Sequence, residues 1–332
     1  MRIERDDFRA LTFGAVQIEQ TPDGVRFHRF SKEEESWLAR KESYEIRSRS
    51  GSGIMLDFET DAKRIRFHAA FRPGSSRKWA FFDFDCDGVL SAHGGSPDIH
   101  DRPECDFEVE LDGASHRCTL HFPQLACAVL KDFELEGATF VNPRTHRRRF
   151  LFYGDSITQG YDAIYPELTY TALLASEFDA EMRNAAIGGA TFPPELVRLA
   201  PAGAPKPDLI ISAYGTNDWS KCTGEDFTRQ ARDFFTALNE VYPGVPVAAL
   251  QPIWRKDCEG ITAAGRFEDA RRIVTEAAAC HLLARVIPGD GLVPHRPEFF
   301  ADGKVHPGDL GFSFYARNLI REIRRCFPVF AD

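Results

Sequence analysis

The run Phe150-Leu151-Phe152-Tyr153-Gly154-Asp155-Ser156-Ile157-Thr158-Gln159-Gly160 follows an arginine-rich stretch and decides how the chain is read. Four consecutive apolar residues stop abruptly in a small-residue turn that carries a serine. A short continuous apolar run bounded by turn residues is what a strand buried on both faces looks like. Similar runs recur at 209–214, 245–250 and 285–287, separated by segments of helix length. Within 226–242, Phe227, Ala231, Phe234, Phe235 and Leu238 share one face at a 3.6-residue period. Residues 311–327 give a closing amphipathic helix. Buried strands alternating with helices predict a parallel sheet covered on both sides, an α/β domain.

Upstream the period changes. From Gly14 to about Asn142 the apolar residues alternate with polar ones, as in 54–60 and 64–69, the period of a half-buried strand. Residues 106–111 alternate cleanly into Asp112-Gly113, a hairpin signal, with 117–122 as the expected partner strand. Phe82 and Phe84 continue an alternation into a second hairpin turn at Asp87-Gly88. Many short strands with Gly and Asp turns predict an all-β sandwich or jelly roll. The expected organisation is therefore a β-sandwich domain over 1–145 and an α/β domain over 146–332, joined near 142–148. The basic cluster of Arg144 with His146–Arg149 is read as a solvated linker.

At 332 residues the chain is long enough for two cores. Its net charge of −9 works against binding nucleic acid or an anionic membrane. No segment approaches the ~20 apolar residues of a membrane span, and the first residues hold no apolar leader-like run. Eight cysteines are scattered without a CxxC pair, so reduced thiols and a cytoplasmic location are expected. Asp83-Phe84-Asp85-Cys86-Asp87-Gly88 mimics the start of a calcium loop, but Gly94 stands where the twelfth-position glutamate belongs. Neither a metal nor another cofactor is expected.

A serine hydroxyl attacks at neutral pH only when a base takes its proton. That base is sought in Asp302-Gly303-Lys304-Val305-His306-Pro307, where an acid and a histidine share one loop. Reactive groups of an open parallel sheet collect in loops at the carboxyl ends of its strands. Besides these two loops, Asn184-Ala185-Ala186-Ile187-Gly188-Gly189-Ala190-Thr191 and Tyr214-Gly215-Thr216-Asn217-Asp218 qualify. Asp155 is read as a loop-holding acceptor of backbone N–H bonds, and His281 and His295 as structural or exposed.

Taken in order, GDSITQG, NAAIGGAT, YGTND and DGKVHP over roughly 149–327 resemble the four blocks of the SGNH (GDSL) hydrolase superfamily. They do not fit the GxSxG elbow of α/β-hydrolases, because Thr158 stands at its second glycine. The resemblance implies a three-layer α/β/α, flavodoxin-like domain. It implies Ser156 as nucleophile, His306 as base and Asp302 as third member. The implied oxyanion hole combines the backbone N–H groups of Ser156 and Gly189 with the Asn217 amide. One departure stands out: three residues separate Asp302 from His306, where the family usually has two. A backbone carbonyl is the alternative partner of the imidazole, and Asp309 and Asp290 are the fallback acids. The reading is a carboxyl-ester hydrolase that removes short acyl groups, acetyl first, from a saccharide or small-molecule ester. Acyl transfer to a non-water alcohol is the alternative. A sugar-binding protein with an inactive hydrolase domain is a second alternative, disfavoured because every block keeps its reactive residue.

Overall fold

Alternation in the first part of the chain resolves into two antiparallel sheets. In the computed structural model, which describes residues 1–331, one sheet runs Thr12–Phe13, Met55–Thr60, His116–His121, Ala80–Cys86, Val89–Ser96, with Val141–Pro143 also paired to Met55–Thr60. The other runs Gln17–Thr21, Gly24–His28, Ala126–Glu136, Arg64–Pro73, Glu104–Glu110. Along Glu104–Glu110, Phe107 and Val109 are buried while Asp106, Glu108 and Glu110 are exposed, so one face alone joins the core. Phe58, Phe82 and Phe84 of the first sheet and Phe67, Phe107 and Phe133 of the second belong to one buried cluster. Phe67 stacks on Phe107 and Phe133 at 5.0 and 5.3 Å and meets Phe82 edge-on at 5.1 Å.

Two expectations fail here. The hairpin turn at Asp112-Gly113 does not join paired strands. Glu104–Glu110 pairs with Arg64–Pro73, whereas His116–His121 pairs with Met55–Thr60 and Ala80–Cys86 in the opposite sheet. The turn arches between the two sheets, and Phe107 and Leu120 on either side of it both join the one buried cluster. Asp112 holds the arch by accepting the Ala114 N–H at 2.7 Å. The basic cluster is not a solvated linker either. Arg144 pairs with Glu59 at 3.2 Å, His146 packs edge-on against Phe13, Arg148 lies over the Phe330 ring, and Arg149 pairs with Glu181. The Asp87-Gly88 turn does join paired strands, both residues having positive φ.

The chain divides into two units. One is Met1–His146 with Ile164–Glu167; the other is Arg147–Ala163 with the chain from Leu168 onward. The second unit holds a five-stranded parallel sheet ordered Ala180–Asn184, Arg148–Gly154, Leu209–Ala213, Val247–Leu250, Ala284–Ile287. Phe150 and Phe152 face a cluster with the helices Tyr170–Glu177 and Asp309–Cys326, while Tyr153 meets Phe234 of the helix Gly224–Val241. Helices thus cover both faces. All five residues expected on the buried face of Gly224–Val241 are buried. The edge strand Ala180–Asn184 escaped the apolar-run reading because it alternates: Ala180, Met182 and Asn184 are buried, Glu181 and Arg183 are not. Among the described residues, no helix is long and apolar enough to cross a membrane.

Candidate active site

After Arg148–Gly154 the chain forms the strand on one side, Ala180–Asn184, and then the strand on the other, Leu209–Ala213. The crevice of an open sheet lies where the winding reverses, at the carboxyl end of that first strand. Ser156 follows directly. A Cβ on Gly154 would lie 2.1 Å from Thr158 Oγ1, so the turn requires glycine. Asp155 caps the short helix Ser156–Gln159 by accepting the Ile157 N–H at 2.9 Å, the holding role expected of it. Burial lifts the Asp155 carboxyl to about 6, against that hydrogen bond.

The structure brings Ser156, His306 and Asp302 into one chain of contacts. Ser156 Oγ is 2.8 Å from His306 Nε2, and His306 Nδ1 is 2.8 Å from Asp302 Oδ2. The other carboxylate oxygen of Asp302 accepts the backbone N–H groups of Lys304, Val305 and His306 at 2.8, 2.7 and 3.1 Å. Gly303 sits at φ +64, which turns the loop tightly enough to absorb the additional residue. Burial opposes ionisation of Asp302. The hydrogen bond from His306 and the three backbone donors outweigh it and hold the carboxyl well below the usual range. The fallback acids are elsewhere: Asp309 opens the helix Asp309–Cys326, and Asp290 pairs with Arg271 at 2.8 Å. The reading of the sequence missed Asp162, whose Oδ2 lies 3.4 Å from His306 Nδ1. Its only signal was an acid in the tight turn following the serine block.

Gly189 and Asn217 lie on the loops after the two strands that flank Arg148–Gly154. Asn184 ties the glycine loop to the serine loop: its amide donates to Thr158 O at 2.8 Å and its oxygen accepts the Ala186 N–H at 3.0 Å. Gly188 donates its N–H to Gln159 Oε1 at 2.7 Å, so that donor is engaged. Gly189 takes φ +75, and its carbonyl accepts from Lys221 Nζ at 2.7 Å. Asp218 joins the asparagine and glycine loops by accepting from Gly215 and Phe192 at 3.1 and 3.0 Å, while burial pushes its carboxyl up to about 7. Asn217 Nδ2 is buried without a hydrogen-bond partner among the described residues. A buried amide donor left unpaired costs free energy, which a ligand oxygen accepting from it would recover.

Arg255 reinforces this end of the sheet. It donates to Thr216 O and Oγ1 at 3.1 and 3.0 Å and lies over the Trp219 ring. Asp257 accepts from Arg255 and also pairs with Lys304 at 3.3 Å, linking the asparagine loop to the acid–histidine loop. His281 is buried and accepts the Leu283 N–H; His295 stacks on Trp254. All eight cysteines are free. Two groups of ligand-type side chains converge among the described residues, Asp162–Asp302–His306 and Cys86–Asp87–His116. In the first, both imidazole nitrogens already face Ser156 and Asp302.

A three-layer parallel-sheet domain that presents a serine at the switch point, with a histidine on its hydroxyl, defines a hydrolase of the esterase class. The model of the GDSL-like lipase/acylhydrolase family matches residues 152–313, and this domain belongs to that family within the SGNH superfamily. No curated protein sequence matches the chain. Among solved structures, a salicylyl-acyltransferase from a tetracycline biosynthetic pathway is 21% identical, with a TM-score of 0.78 over 95% of this chain and 94% of that one. A family two carbohydrate esterase from Clostridium thermocellum in complex with cellohexaose is 16% identical, with a TM-score of 0.64 over 95% and 98%. An acetyl xylan esterase from the rumen bacterium Butyrivibrio proteoclasticus is 16% identical, with a TM-score of 0.58 over 83% and 90%. At these identities the likeness is one of fold, the β-rich domain included.

Proposed function

We propose that the protein is a serine-dependent carboxyl-ester hydrolase that removes short acyl groups, acetyl first, from a saccharide through an acyl-serine. The observation that carries this reading is the continuous contact from Ser156 Oγ through His306 to Asp302. In the proposed reaction His306 Nε2 takes the Ser156 proton as Oγ attacks the ester carbonyl. The carbonyl oxygen becomes an alkoxide, held by the Ser156 and Gly189 N–H groups and the Asn217 amide. His306 then passes its proton to the leaving sugar hydroxyl. Water, deprotonated by the same imidazole, attacks the acyl-serine and releases the acid. Asp302 keeps the imidazole in the tautomer with Nδ1 protonated and steadies the imidazolium.

Similarity over nearly the full chain to a salicylyl-acyltransferase supports a second reading, transfer of the acyl group to an alcohol. The two share every step up to the acyl-serine and differ in what attacks it. A screen of acetylated saccharides against longer-chain esters, with and without acceptor alcohols, tests both. The expected result is acid release from the acetyl esters, falling as the chain lengthens. New ester in place of free acid favours transfer, and turnover of none of the esters ends both readings.

A further inference from the structure

We infer that His306 is held between two carboxylates, and that Asp162 is a positioning residue for it. The inference rests on the reading of His306 as the base. Asp162 lies six residues after Ser156, on the chain leaving the nucleophile turn. Its Oδ2 is 3.4 Å from His306 Nδ1, the same nitrogen that Asp302 Oδ2 meets at 2.8 Å. The two acids reach that nitrogen from separate segments of the fold and differ in character. The Asp302 side chain is 30% exposed, on a loop; that of Asp162 is 7% exposed. Asp162 also takes φ +71, in the left-handed region that residues other than glycine, asparagine and aspartate rarely adopt. That conformation limits the residues the position accepts, chiefly to glycine, asparagine and aspartate.

The chemistry assigns the two acids different shares. When His306 takes the Ser156 proton, positive charge appears on the imidazole. Asp302, nearer and aligned, fixes the Nδ1 proton. Asp162, buried and little screened by water, adds a field that favours the charged ring. Of the other ionisable side chains, Asp155 interacts with the charge of His306, and the Tyr161 ring centroid lies 5.5 Å from the imidazole. With two carboxylates on one nitrogen, loss of Asp302 alone leaves the base partly oriented.

Asp162→Asn and Asp162→Gly test this in the full chain, because both residues tolerate φ +71 and preserve the turn. The readouts are the acid limb of the kcat/KM profile on a short-chain ester and stoichiometric labelling of Ser156 by an organophosphonate. Removing the carboxylate is expected to shift the limb to lower pH in both variants, because a nearby opposite charge favours the charged ring. Asp302→Asn is expected to cost about a hundredfold, and the double variant with Asp162→Asn about 10⁴-fold, the loss known when a single orienting aspartate is neutralised. A limb that stays in place in both Asp162 variants overturns the inference even if activity falls, since a merely structural role lowers activity without moving the limb. Failure of the wild-type protein to label at Ser156 would instead overturn the underlying assignment of the base and nucleophile.

Discussion

Asp302 uses its two oxygens for different tasks, one for three backbone N–H groups and one for the imidazole. This division explains how the loop tolerates three intervening residues. It also ties the acid to stability. Its folded-state pKa lies below its unfolded value, so its contribution is complete above about pH 4 and is lost as pH falls through the folded value. Melting temperatures recorded from pH 6 down to pH 2 are therefore expected to fall more steeply for the wild type than for Asp302→Asn. Parallel curves contradict the assignment. Asn217 makes the opposite kind of case. Its amide nitrogen has no partner among the described residues, so Asn217→Ala removes nothing that holds the fold. If the amide serves the alkoxide, kcat falls about 10²–10³-fold at an unchanged melting temperature. A variant that loses stability but keeps its turnover ends the oxyanion role.

Elements determine which of these residues meet. The serine turn exists because Arg148–Gly154 ends at a glycine with no room for a Cβ against Thr158, and Thr158 is itself bonded to the buried Tyr170 hydroxyl at 2.9 Å. Gly154→Ala is expected to destabilise by about 1–3 kcal/mol through overpacking and to displace Ser156. Urea unfolding and specific activity check this, and a variant with wild-type values for both contradicts it. The parallel strands and the two long helices were legible because burial on two faces or one leaves a clear period in the sequence. Ala180–Asn184 was not, since a sheet-edge strand keeps polar residues on one side. The Asp112-Gly113 arch was misread for a different reason. Local turn chemistry is the same whether strands pair or cross a core, and only distant partners, Arg64–Pro73 and Met55–Thr60, decide between them. The four site blocks were legible because each needs particular residues at fixed spacing. Asp162 was not, because its approach to His306 arises from folding residues 144 positions apart into one site.

For the whole molecule, a β-sandwich unit accompanies a GDSL-type hydrolase domain, an arrangement shared over nearly the full chain with both an acyltransferase and carbohydrate esterases. Fold therefore leaves the acceptor open, and the common step is the one to test. The most direct measurement is intact-mass and peptide mapping after treatment with an organophosphonate ester, beside Ser156→Ala and His306→Ala. One adduct per chain is expected, on Ser156, with no adduct in Ser156→Ala and greatly slowed labelling in His306→Ala with the fold intact. Full esterase activity in Ser156→Ala, or an adduct on any other residue, would contradict it.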